Sequence, residues 1–72
     1  MIHYARIENS PRLQRTLTLL QDGQWHTTRD IVRRADVCAV NSIITELRRN
    51  GYIIEREAVK GERGLAQYRL AA

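Results

Sequence analysis

Of the twelve basic residues in this 72-residue chain, eleven are arginine and only Lys60 is not. The planar, always-charged guanidinium fork suits phosphates and guanine edges better than a lysine point charge does. That residue choice points to recognition by hydrogen bonding. The densest grouping of such groups lies at 41–49, where Asn41, Ser42, Thr45, Arg48 and Arg49 are interleaved with the apolar Val40, Ile43, Ile44 and Leu47. The net charge of +4 is a mild excess, and each half of the chain carries six basic and four acidic residues, so no basic tail stands out. Charge permits nucleic-acid binding without proving it.

Bond-making chemistry has no foothold. There is no phosphate-cradling glycine motif and no nucleophile elbow, and a core this small has no room for a paired-carboxylate site. The chain reads as a non-enzyme, with no cofactor and no small-molecule substrate. His3, His26 and Cys38 are widely spaced and no C-x-x-C occurs, which argues against a metal site. Cys38 reads as a small filler rather than a reactive thiolate.

Size and composition bound the rest. A chain of this length makes one domain with one lean core, burying only about 60% of its unfolded surface. A hydrophobic fraction of 43% with 28% charged residues fits an ordered globular chain. No apolar run approaches the ~18 residues of a membrane span, and no signal-peptide hydrophobic region opens the chain, so a cytoplasmic location is expected. A single cysteine allows no intramolecular disulfide.

The elements that would position the polar groups follow from local signals. Residues 1–9 form an N-terminal arm without a strong pattern, in which Ile2, Tyr4 and Ile7 could alternate as a strand or rest on the domain. The domain proper spans 10–72. Ser10-Pro11 is a helix start, Leu13, Leu17 and Leu20 form one stripe, and Gly23 ends the helix. Residues 24–26 are too few for a helix and could run extended. Thr27 with Asp30 three residues on is a capping-box variant opening a second helix, with Ile31, Val32 and Ala35 inward. The chain breaks around 35–37, with Val37 plugging the core. A third helix runs over about 38–50 and stops at Gly51; its Val40, Ile43, Ile44 and Leu47 form the cleanest periodic stripe in the chain. After it the period becomes extended: 52–58 and 65–70 read as strands, and 59–64, with Gly61 and Gly64, as the hairpin turn.

This order, three helices followed by a β-hairpin, resembles the winged helix-turn-helix family of DNA-binding domains. The residues that carry the likeness are GQWHTTRDIV, VCAVNSIITELRRNGY and GERGLAQYRL, together covering about residues 10–70. The compact build also looks like small prophage-encoded regulators. One departure is that Asp36 stands near the point where the helix-turn-helix turn often has glycine. The fold class implied is α+β, a three-helix core followed by a wing. The resemblance also implies a third helix in the major groove and a wing near the backbone or minor groove. Its outward face would then show Cys38, Asn41, Ser42, Thr45, Arg48 and Arg49. Asn pairs naturally with adenine and Arg with guanine, while Ser and Thr reach bases or phosphates. Lys60 and Arg63 at the wing tip become phosphate or minor-groove contacts. Thr27, Thr28 and Arg29 open the second helix, whose first N–H groups could hold a phosphate.

Plainer readings stand beside these. Arg48 and Arg49 also suit a helix C-terminus through the dipole, Asn41 and Ser42 also fit as plain polar surface, and Arg33, Arg34, Arg12 and Arg15 read as solvated faces. Trp25 reads as a lid on the core, Tyr52 and Tyr68 as hairpin residues packed on the helices, and His26 as a surface or capping neighbour. Glu46, Glu55, Glu57 and Glu62 oppose a pure phosphate grip. The expectation is sequence-specific binding of double-stranded DNA by a small transcriptional regulator. Because one such module covers few base pairs, a homodimer or a second protein is expected to assist. The alternative is a protein-interaction winged helix that binds and modulates a host or phage protein.

Overall fold

The computed structural model describes residues 6–61 and 65–71. Over these residues the fold is α+β, with three α-helices and one small antiparallel sheet. A short 3-10 turn at Ile7–Asn9 leads into α1 (Pro11–Leu20). The two-residue strand β1 (His26–Thr27), α2 (Thr28–Arg34) and α3 (Val40–Arg49) follow. The strands β2 (Ile54–Ala58) and β3 (Ala66–Leu70) close the chain. In the sheet β3 lies in the middle, with β1 on one side and β2 on the other. The pairs His26–Tyr68 and Ile54–Leu70 fix the two registers.

Local chemistry accounts for the helix ends. The Ser10 hydroxyl accepts from the Leu13 amide at 3.4 Å, with Pro11 in the first helical position. The Thr27 hydroxyl accepts from the Asp30 amide at 3.1 Å, so the Thr-x-x-Asp signal does cap α2. Gly23 takes φ +73° beyond α1 and Gly51 φ +99° beyond α3, the left-handed conformation that lets a helix stop within a residue or two. Between α2 and α3 two non-glycine residues do the same, Asp36 and Ala39, both at φ +54°. Asp36 thus adopts the conformation for which a glycine is more usual at such a turn.

Leu13, Leu17 and Leu20 of α1, Ile31 and Ala35 of the α2 segment, and Val40, Ile43, Ile44 and Leu47 of α3 form one core. Ile54, Ala66 and Tyr68 close it from the sheet. Each large aliphatic side chain buried this fully contributes about 1.5–3 kcal/mol relative to exposure. Ile7, Val37 and Tyr52 pack on its margin, so Val37 does plug the turn between α2 and α3.

Several local expectations give way to tertiary structure. The third helix starts at Val40, so Cys38 precedes it and is exposed rather than a filler. Val32, expected inward, is 41% exposed because α2 is short and turns only Ile31 and Ala35 to the core. His26, expected at the surface, is buried, on the edge strand β1 where it pairs with the core residue Tyr68 of β3. Trp25 is half-buried and lies outside the core cluster; its ring stacks beneath the Arg69 guanidinium at 4.6 Å.

Candidate nucleic-acid interface

The polar side of α3 falls into three strips by helical position. At about 100° per residue, Ser42, Thr45 and Arg49 lie roughly opposite the buried stripe, with Glu46 on one flank and Asn41 and Arg48 on the other. The flanks are tied down. On the α1 side, Arg12 Nη2 donates to both carboxylate oxygens of Glu46, at 3.2 and 3.0 Å. On the sheet side, the Tyr68 hydroxyl donates to Asn41 Oδ1 at 3.0 Å. One helix end further on, Arg48 donates to the Ile54 carbonyl through Nε at 3.2 Å and Nη2 at 2.7 Å. Asn41 and Arg48 stand seven residues apart, two helical turns, which is why both reach the sheet.

The outer strip is solvent-facing. Ser42, Thr45 and Arg49 are exposed. Thr45 donates its hydroxyl proton back to the Asn41 carbonyl at 2.9 Å, which leaves the hydroxyl oxygen able to accept. The helix begins on Ala39 without a side-chain cap, and the Ser42 and Ile43 amides both donate to the Ala39 carbonyl, at 3.0 and 3.2 Å. The acidic charge of Glu46, which would repel phosphate, is compensated by Arg12 at the rim of this surface.

The remaining sequence-predicted residues are distributed around it. The hydroxyl of Thr27 is committed to capping α2, and that of Thr28 donates to the Ala66 carbonyl at 3.3 Å, so both hydroxyls serve the fold. Arg29 is exposed on α2, on the same face as Arg33. Lys60 is exposed in the turn after β2, next to Gly61 at φ +82°. Arg63 lies outside the described residues, as does Glu62. The acidic residues of β2 are engaged across the sheet: Glu55 accepts from Arg69 at 2.8 Å, and Glu57 from Gln67 at 2.9 Å.

Arg15, which reads as a solvated face in the sequence, proves structural. It donates from Nε to the Ala35 carbonyl at 2.8 Å and from Nη2 to the Asp36 carbonyl at 3.1 Å, covering the carbonyl end of α2 where the chain turns. Asn50 donates to the Glu46 carbonyl at 2.7 Å and accepts from the Ile7 amide at 3.1 Å, holding the 3-10 turn to α3. No local sequence signal announces either, because the partners are remote or belong to backbone.

A groove of about 580 Å³ runs along the outer side of α1, lined by Pro11, Gln14, Arg15, Thr18, Leu19 and Arg34. It includes none of the predicted site residues and is wide open. Among the described residues, no three His, Cys, Asp or Glu gather as a metal site. No helix there is long and apolar enough to cross a membrane. Compared with protein-family models, curated proteins and solved structures, the chain has no match.

Proposed function

We propose that the chain is a winged helix-turn-helix domain that binds double-stranded DNA sequence-specifically, as a small cytoplasmic transcriptional regulator acting by binding and not by catalysis. In this reading α2, the left-handed turn and α3 form the helix-turn-helix, α3 enters the major groove, and β2 with β3 forms the wing. The observation that carries it is the presentation of α3. Its outer strip of Ser42, Thr45 and Arg49 is exposed while Arg12–Glu46 on one flank and Tyr68–Asn41 with Arg48–Ile54 on the other hold the helix in place. A helix clamped on both sides with a polar ridge between satisfies what groove docking needs. Backbone contacts then fall to exposed cations around it, Arg29 and Lys60 among the described residues.

The test is selection from a randomised duplex-DNA pool at two salt concentrations, with sequencing of the retained fraction. Enrichment of one motif supports the reading, and a palindrome within it adds a homodimer. Weak binding without a motif, lost at moderate salt, counts against it.

A second reading is favoured by one feature of the sheet. Ile53, at the entry to β2, is 66% exposed, and the Glu55 and Glu57 carboxylates on that strand are unsuited to phosphate. These suit a protein partner, and binding that persists as salt rises would select that alternative over DNA.

A further inference from the structure

The contact between Tyr68 and Asn41 restricts what Asn41 can read. Asparagine is usually paired with adenine, because its amide accepts from N6 through Oδ1 and donates to N7 through Nδ2. Here the Tyr68 hydroxyl donates to Oδ1 at 3.0 Å. Tyr68 is itself only 2% exposed, its ring locked in the core, and its backbone pairs on both sides, with His26 and with Arg56. The Asn41 backbone carbonyl is simultaneously held by the Thr45 hydroxyl at 2.9 Å. The backbone and one face of the amide are therefore fixed, while Asn41 as a whole remains exposed in the first turn of α3, the part of a recognition helix that meets base edges. The phenol takes a lone pair of Oδ1 and fixes the direction of that oxygen, and the other end of the amide, Nδ2, is a donor alone.

We propose that Asn41 reads chiefly through its donor and selects guanine over adenine, and that Tyr68 is the positioning residue that sets this choice without touching DNA. The inference rests on the DNA-binding reading above. Guanine offers acceptors at both N7 and O6; adenine offers one, at N7, and its N6 donor meets an Oδ1 already turned to the phenol, which weakens its usual pair with asparagine. Releasing Oδ1 restores that pair.

Binding-site selection on the wild-type chain, Tyr68→Phe, Asn41→Ala and Asn41→Asp tests this. The expected result is a motif in which Asn41→Ala flattens one position that is guanine in the wild type, by about two- to tenfold in preference, the range of a single hydrogen bond. Tyr68→Phe should move that same position toward adenine and leave the others alone. Asn41→Asp, an exposed substitution that keeps an acceptor for Tyr68 but has no donor, should turn it toward cytosine or adenine, which carry donors. Should Tyr68→Phe fail to fold, as judged by circular dichroism and melting, Asn41→Asp carries the test alone. A base other than guanine at the Asn41-dependent position of the wild type, or an Asn41→Asp motif identical to the wild type, overturns the proposal and leaves DNA binding standing. A folded Tyr68→Phe that retains the wild-type base, or that weakens every position alike, overturns the positioning role of Tyr68. Failure of the wild type to select any motif removes both this proposal and the reading beneath it.

Discussion

Arg48 and Ile54 are joined by a two-pronged contact, Nε and Nη2 of the guanidinium converging on one backbone carbonyl at 3.2 and 2.7 Å. That carbonyl belongs to the open edge of β2. Ile53 accepts from the Ala71 amide and the Val59 amide donates to Leu65, so the odd-numbered residues bond toward β3 and the even-numbered ones face away. Arg48 therefore covers the first outward carbonyl of an edge strand and couples the end of α3 to the sheet in the same contact.

The consequence is a stability effect at a residue that the sequence marks for DNA. Arg48→Ala should lower stability by about 1 kcal/mol, the worth of charge-assisted bonds discounted for partial exposure. In a domain of this size that moves the melting midpoint down by roughly 4–8 °C. Arg48→Lys should recover only part of it, because an ammonium cannot present two donors to one oxygen with the geometry of the fork. An unchanged melting curve for Arg48→Ala would assign the side chain to a ligand instead.

The limits of the sequence are visible in the same residues. Ser10-Pro11, Thr27 with Asp30, the Val40–Leu47 stripe and Gly51 are local signals, acting over three or four residues, and each appears in the structure where its spacing places it. The polar strip of α3 is legible because helical period alone sorts Ser42, Thr45 and Arg49 from the buried side. What Arg48, Asn41, Glu46 and Arg15 do is not. Their partners lie between 6 and 34 positions away, or are backbone carbonyls, and nothing in a one-dimensional pattern distinguishes an arginine aimed at a carbonyl from one aimed at solvent. Periodicity misplaces Val32 for a related reason: a seven-residue helix buries too narrow a stripe to include it.

Acid sensitivity should concentrate at the turn after α1. The Asp22 carboxyl is held below its ordinary value first by the hydrogen bond from the Gln24 amide, then by that from His26. Its oxygens lie 2.9 and 3.0 Å from Nε2 of the buried His26, and as an ionised carboxylate it only accepts, so that nitrogen carries the proton. A carboxyl whose folded value is depressed contributes stability that is full above its unfolded value, near pH ~3.9, and is lost as pH falls through the folded one. Melting curves between about pH 5 and pH 2 should therefore show a steeper decline for the wild type than for Asp22→Asn, the two converging at the acid end. Parallel curves would mean that the contact does not persist in solution.

The left-handed residue at the start of α3 offers a stabilising substitution. Ala39 sits at φ +54° and ψ +50°, where an L-residue with a Cβ is strained by about 1–2 kcal/mol, and it provides no side-chain cap. Glycine removes the strain but loses more freedom on folding, by roughly 0.5–1 kcal/mol. Ala39→Gly should thus raise stability by a net of about 0.5–1 kcal/mol, read as a higher urea midpoint at unchanged slope. A lower midpoint would show that the turn between α2 and α3 does not hold Ala39 in this conformation.

The bridge from Arg12 to Glu46 makes a prediction that separates direct from indirect roles in the proposed DNA binding. The pair is 3.0 Å apart, with the Glu46 side chain 19% exposed and Arg12 45%. A double-mutant cycle on stability should give a coupling of only ~0.2–1 kcal/mol, as for other surface pairs with one partner in contact with solvent. Its larger effect is electrostatic. Arg12→Ala uncovers a carboxylate beside the outer strip of α3 and should weaken DNA binding several-fold at low salt, even though Arg12 lies on α1 and reads no base. Glu46→Gln should instead tighten binding, and in that background Arg12→Ala should have little further effect. The difference should shrink as salt rises through the range where the screening length falls below about 10 Å. If Arg12→Ala costs as much in the Glu46→Gln background as in the wild type, Arg12 contacts the phosphate backbone itself, and the DNA footprint extends over α1.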